Sequence, residues 1–168
     1  MPTGGVTDHM IEAARHFVEQ PTGLIVLYGG SGNAKSHVLK AIVNELIVKR
    51  RIGAVYMRVW DLMNYVRDGV KQNAADDDIR RLERLQHAPV LCLDELDKIR
   101  QDTEFMLSLQ RALLDRRYED ATGGVSGTVI AMNLSPDEAF EPHIASRLLD
   151  KRNTVIHNTD LDMRRRRE

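Results

Sequence analysis

From Gly29 to Ser36 the chain reads Gly-Gly-Ser-Gly-Asn-Ala-Lys-Ser, a run of small residues closed by an ammonium and a hydroxyl. The spacing follows G-x-x-x-x-G-K-[ST] except that Ala34 stands at the second glycine position. Small residues at Gly29, Gly30, Ser31, Gly32, Asn33 and Ala34 let successive backbone N–H groups curl round phosphate oxygens, which also face the positive end of a following helix. Lys35 would reach the terminal phosphates and Ser36 would ligate magnesium. The methyl of Ala34 keeps the backbone donor but restricts the loop dihedrals, so it bears on rate more than on binding if that position needs a positive φ. His37, next in line, adds a ring at the same mouth or packs and caps the helix start.

A second piece of chemistry sits at the end of the apolar run Val90 to Leu93, which leads into Asp94-Glu95. There Asp94 can hold the magnesium shell while Glu95 polarises an attacking water, and together with the glycine loop the pair implies hydrolysis. Asp97 reads as a turn or cap residue. Asn133 leaves the run Thr128 to Met132; in a parallel sheet it would lie beside the carboxylates, either orienting the water or closing the strand into the next helix. Arg147, in Ala145-Ser146-Arg147-Leu148, can stabilise the transferred phosphoryl charge in a neighbour's site, or form a surface salt bridge. Arg152 is the next candidate for that task.

These residues need a scaffold that alternates strands with helices. Asp8 to Glu19 has helical character, Pro21-Thr22-Gly23 breaks it, and Leu24 to Tyr28 reads as the first strand. Val38, Leu39, Ile42, Val43, Leu46 and Ile47 recur at spacings of three and four, which predicts a helix ending near Arg51. Ala54 to Val59 is a second strand, followed by a helix capped by Asp61 and running towards Val70, and by another over Asp77 to Leu85. Val90 to Leu93 and Thr128 to Met132 are strands covered on both faces, with a long helix near Thr103 to Tyr118 between them. Ser135-Pro136-Asp137-Glu138 combines a capping serine, proline at the first helical position and the reciprocal glutamate. A short helix over Ile144 to Leu149 and a fifth strand over Thr154 to His157 complete an α/β domain whose alternation implies a mainly parallel sheet.

Composition agrees with one soluble unit. The 168 residues suit a single domain over 1–168, with 1–7 and 158–168 as flexible tails. No apolar run approaches the roughly 20 residues of a membrane span. A lone cysteine, Cys92, excludes an internal disulfide, and the N-terminus lacks the features of a signal peptide, so the cytoplasm is the expected compartment. A net charge of −1 gives no overall footprint for nucleic acid. The runs Asp76-Asp77-Asp78 and Arg164 to Arg167 read as solvated surface, the second also as a weak phosphate contact. Trp60, near Tyr56 and Tyr65, suits core or interface packing, and could also stack on bases.

Taken in order, LYGGSGNAKSH, AVYMRVWDLMNYVRD, VLCLDELDKI, TVIAMNLSPDE and IASRLLDKRNTVI resemble the AAA+ ATPases over nearly the whole chain. The resemblance is in particular to the DnaC and IstB-like group of helicase loaders and transposition helpers, with DnaA as a more distant relative. The resemblance implies a three-layer P-loop NTPase core with a five-stranded parallel sheet. It assigns Gly29 to Ser36 as Walker A, Asp94 and Glu95 as Walker B, Asn133 as sensor 1 and Arg147 as arginine finger. It also implies ATP and Mg2+, an ATP-dependent ring or spiral of identical subunits, contact with DNA, expected to be single-stranded, and delivery of a replicative helicase or transposase. Three departures accompany it: Ala34, no C-terminal helical lid with its sensor 2 arginine, and only about seven residues before the first helix.

Four functions are compatible with these residues. A helicase loader predicts DNA-stimulated ATP turnover, and a transposition helper differs from it only in partner. A metabolic P-loop kinase would need an acceptor pocket and an arginine-bearing lid, and Asn133 with Ser146-Arg147 speaks against it. A nucleotide-dependent switch with little hydrolysis is what Ala34 and the missing lid would favour.

Overall fold

The computed structural model describes residues 5–70, 75–99 and 103–160. The side chains of Asp76 to Asp78 and the whole of Arg164 to Arg167 lie outside the described residues. Each apolar run forms a strand: β1 (Gly23–Tyr28), β2 (Ala54–Arg58), β3 (Val90–Asp94), β4 (Gly127–Met132) and β5 (Thr154–His157). All neighbours pair in parallel, in the order β2-β3-β4-β1-β5. β3 and β4 are buried along their whole length, the continuous apolar character that a strand needs when helices cover both faces.

Alternate strand residues feed two cores. On one face Ile25, Leu27, Cys92, Val129 and Ala131 pack against Met10 and Phe17 of α1 (Val6–Glu19) and Leu39 and Ile42 of α2 (Lys35–Asn44). On the other, Val26, Leu91, Leu93, Ile130 and Met132 meet a larger helical layer. It comprises α3 (Val59–Val70), α4 (Ala75–Gln86), α5 (Glu104–Thr122), α6 (Pro136–Ala139) and α7 (Pro142–Leu148). The expected three layers around a five-stranded parallel sheet are therefore present. No helix among the described residues is long and apolar enough to cross a membrane.

Element ends show where local chemistry departs from the expectation. α3 begins at Val59, so Asp61 is not a cap; it sits in the first turn and pairs with Arg58 at 3.3 Å. After α2 the helix widens over Glu45–Lys49 and stops where Arg51 turns left-handed, with φ 58°. α5 runs on to Thr122 from a start capped by Thr103, whose Oγ1 accepts from Met106 N at 3.3 Å. The start of α6 is as expected, with the Glu138 carboxylate accepting from Ser135 N and Oγ at 2.9 and 2.7 Å.

Two further expectations need correction. Trp60 is 59% exposed, because the first turn of α3 points it outward, so it is not a core residue. Residues 5–7 and 158–160 are not tails. The Asp160 carboxylate accepts from Val6 N, Thr7 N and Thr7 Oγ1 at 3.3, 2.8 and 2.6 Å, and Asn158 is buried.

Arg117 of α5 has no exposed surface. Its guanidinium donates to Thr128 Oγ1 at 2.8 Å, to Ala88 O at 2.6 Å, to Gln86 O at 2.9 Å and to Gly127 O. One side chain thus fastens the end of α4 and the starts of β3 and β4 to α5. Burial pulls its pKa down to about 10, with Asp120 opposing, yet it remains a cation at neutral pH. Arg117→Met would fill similar space but leave those buried oxygens unpaired, at a cost of about 3 kcal/mol. In a domain of this size we expect thermal denaturation to register a fall in Tm of roughly 6–12 °C. A change within a degree would mean that the four acceptors find other partners.

Candidate active site

Three strands end side by side at the carboxyl edge of the sheet. β4 lies between β1 and β3, with Tyr28 opposite Met132 and Leu93 opposite Ile130, so the segments after all three open onto one place. The chain reverses its direction across the sheet beside β1, where open parallel sheets bind ligands. A cavity of about 450 Å³ lies there, lined by residues 31–37, Asp94, Glu95, Lys98, Met132 and Asn133.

The loop from Gly29 to Ser36 is shaped by positive φ at Gly29 (129°), Gly32 (78°) and Ala34 (68°). A β-carbon at Gly29 would run into the carbonyl oxygen of Asn158, which fixes that position as glycine. Ala34 adopts the left-handed region at the entry to α2, the case in which its methyl is strained. Lys35 is 6% exposed, and its Nζ donates to Gly29 O, Gly30 O and Asn33 Oδ1 at 2.6, 2.7 and 2.7 Å. Burial lowers its pKa, while the charges of Asp97 and Asp94 push the other way. Asn33 also exchanges two hydrogen bonds with Asn158, Asn33 Nδ2 to Asn158 O at 3.2 Å and Asn158 Nδ2 to Asn33 O at 3.0 Å.

Asp94 is 4% exposed and is held by Tyr56, whose hydroxyl donates to Oδ2 at 2.7 Å. Burial and this hydrogen bond raise the Tyr56 pKa, so the phenol stays a donor. The next peptide closes back, Glu95 N donating to Asp94 Oδ1 at 3.0 Å, and Glu95 takes a left-handed conformation, φ 57°. Its carboxylate stands at the cavity and pairs with Lys98 Nζ at 2.6 Å. Asp97 does more than end a turn: Oδ1 accepts from Asn133 N at 3.1 Å, which locks the exit of β4 to the exit of β3.

Arg147 does not line this cavity. On α7 its Nη1 lies 2.8 Å from Asp115 Oδ1 as an ion pair without hydrogen-bond alignment, and its guanidinium sits 5.2 Å from the Tyr118 ring centroid. Asn153 Nδ2 donates to Arg147 O and Leu148 O at 2.7 and 3.1 Å and so fixes the end of α7. Arg152 is taken up by Asp150 at 2.8 Å and by the Tyr118 hydroxyl. Of the residues expected to act together, Ser31 to His37, Asp94, Glu95 and Asn133 converge; Gly29 and Gly30 bond Lys35 through their carbonyls, and Arg147, expected to serve a neighbour's site, does not line this one. His37 is exposed at the cavity and does not pack into the core.

The set suits a nucleoside phosphate with a divalent cation: a fixed ammonium, a glycine cradle, and Ser36 and Asp94 lining one cavity. An α/β/α core with this loop between its first strand and the helix that follows is a P-loop fold. The description "ATPase family associated with various cellular activities (AAA)" covers a match to residues 25–155, and the chain belongs to that family. Among solved structures it is similar to AMPPCP-bound DnaA from Aquifex aeolicus, with TM-score 0.77 and 16% identity over 98% of this chain and 50% of that one. A replication initiator DnaA bound to AMPPCP and single-stranded DNA gives 0.74 and 16% over 96% and 51%. The DnaC helicase loader gives 0.68 and 20% over 94% and 93%. The chain thus spans about half the length of these DnaA structures. No curated protein sequence matches it significantly.

Sequence reasoning missed Tyr56, Lys98 and the bridging role of Asp97. Tyr56 was readable in part, since residues 56 and 94 project from the same face of paired strands. The left-handed Ala34 yields a direct test. Ala34→Gly removes strain of about 1–2 kcal/mol and returns part of that as chain entropy in the unfolded state. We expect a net gain near 1 kcal/mol, seen as a rise in Tm of about 2–4 °C. An unchanged or lower Tm would show that the loop carries no strain at this residue.

Proposed function

We propose that this chain binds ATP with Mg2+, hydrolyses it slowly, and works as an oligomer on DNA in the manner of a DnaC-like helicase loader. The observation that carries the reading is the convergence of Lys35, Ser36, Asp94, Glu95 and Asn133 on one cavity, which Arg147, paired with Asp115, does not line. ATP with its metal would supply an activated phosphoanhydride and a charge-neutralising ion. The protein's share is then positioning. Lys35 and the loop N–H groups hold the phosphates, Ser36 and Asp94 hold the ion, Glu95 draws a proton from water, and Asn133 orients that water. Arg147 acts on the site of a neighbouring copy. Its place outside its own cavity supports this, and Asp115 keeps the guanidinium oriented. The likeness to a helicase loader, and to an initiator bound to single-stranded DNA, supports action on DNA; exposed Trp60 offers a face for base stacking. An IstB-like transposition helper shares these residues and would differ in partner.

A second reading, a nucleotide-dependent switch with little hydrolysis, is favoured by strained Ala34 and by the pairing of Glu95 with Lys98. ATP binding and turnover, with and without single-stranded DNA, separate the two. Lys35→Ala should weaken ATP binding roughly tenfold or more. Glu95→Gln should retain ATP binding yet lose turnover by about 10²-fold or more. Arg147→Ala should lose about 10³-fold, recovered in part when mixed with Lys35→Ala subunits that carry the arginine. No recovery at any mixing ratio removes the trans assignment, and a wild type that binds ATP without turnover selects the switch.

A further inference from the structure

Lys98 faces the same cavity as Lys35 but owes nothing to the phosphate loop. It stands on a single 3-10 turn, Leu96–Lys98, closed by Lys98 N donating to Glu95 O at 2.9 Å. Each neighbour on that turn is fixed: Leu96 and Ile99 are buried at 1% and 6%, and Asp97 is bonded to the backbone of Asn133. Lys98 alone is left to point outward, with its side chain about half exposed and its ammonium 2.6 Å from Glu95 Oε1. The turn therefore fixes where the side chain of Lys98 departs beside the cavity, and Glu95 holds its ammonium there.

The charges lining the cavity set the problem. Two lysines, Lys35 and Lys98, share it with two carboxylates, Asp94 and Glu95. Lys35 is already committed to three oxygens of its own loop. A triphosphate is strongly anionic, and Glu95 at the rim repels its outermost group. The cation nearest that carboxylate is Lys98.

We propose that Lys98 is a second phosphate-binding residue of this site, held in reserve by Glu95 and exchanged onto the terminal phosphate of ATP. The exchange has two effects. It adds a charge-assisted hydrogen bond that a diphosphate would not receive, and it frees the Glu95 carboxylate when a triphosphate is in place. The inference rests on the ATP reading given above and deepens it, since it makes one ion pair the element that distinguishes ATP from ADP.

The test is a calorimetric cycle measuring the affinities of Mg·ATP and Mg·ADP for wild type, Lys98→Ala, Glu95→Gln and the double variant. Lys98 is exposed, and an unchanged Tm checks that each protein is folded. Lys98→Ala should lose about tenfold in ATP affinity, the scale of a hydrogen bond between charged groups, with ADP changing less than about twofold. Glu95→Gln, which releases Lys98, should tighten ATP a few-fold, and this gain should vanish in the Lys98→Ala background. Lys98→Arg should restore most of the preference for ATP. Equal effects on both nucleotides, or none, overturn the proposal and leave Lys98 as an ordinary surface partner of Glu95. A wild type that binds neither nucleotide overturns the ATP reading itself, and this proposal with it.

Discussion

A cation has to be kept inside a loop that excludes most of the water around it, and much of the structure answers to that demand. Lys35 is nearly buried, and burial works against its charge. Three oxygens of the loop satisfy its ammonium, while Asp94 and Asp97 supply negative charge from outside the loop. Neither carboxylate is near Lys35 in sequence. Asp94 arrives because β3 is only one strand removed from β1, and Asp97 because the turn after β3 bends back to the end of β4. Strand order is thereby part of the electrostatics of one side chain.

The same geometry explains why the carboxyl edge is stiff. Tyr56 bonds Asp94, Asp97 bonds the Asn133 backbone, and Asn33 bonds Asn158, so β1, β2, β3, β4 and the segment after β5 are cross-tied within one layer of polar contacts. At the opposite edge Arg117 performs a similar service for the starts of β3 and β4. The sheet is clamped at both ends, and preorganised groups of this kind are what electrostatic catalysis needs.

Most of the fold was legible because its signals are local. Uninterrupted apolar runs gave the strands, spacings of three and four gave the helices, and Ser135 with Glu138 marked a helix start that the structure reproduces. The loop and the strand-end carboxylates were legible for the same reason, since each is a short motif at the edge of a strand. What could not be read are the contacts that depend on register and rotamer. The hydroxyl of Tyr56 meets Asp94 across two paired strands, and Trp60 turns outward because α3 starts two residues before Asp61. Asp160 folds onto the first turn of α1 from the far end of the chain, and nothing in residues 158–160 announces that. Arg117 likewise reads as one more helical arginine until the packing encloses it.

The amide pair between Asn33 and Asn158 has a mechanical meaning. Asn158 also accepts from Asp160 N at 2.8 Å, and Asp160 holds the first turn of α1. Residues 6–7 and 158–160 are therefore tied to the phosphate loop by side-chain hydrogen bonds, beside the bond from Asn158 N to Tyr28 O at the end of β1. A displacement of the backbone at residue 160 would reach Asn33 and then the ammonium of Lys35 through these hydrogen bonds as well as through the ends of β5 and β1. The geometry of the loop is thereby coupled to the placement of the first turn of α1 and of the segment after β5.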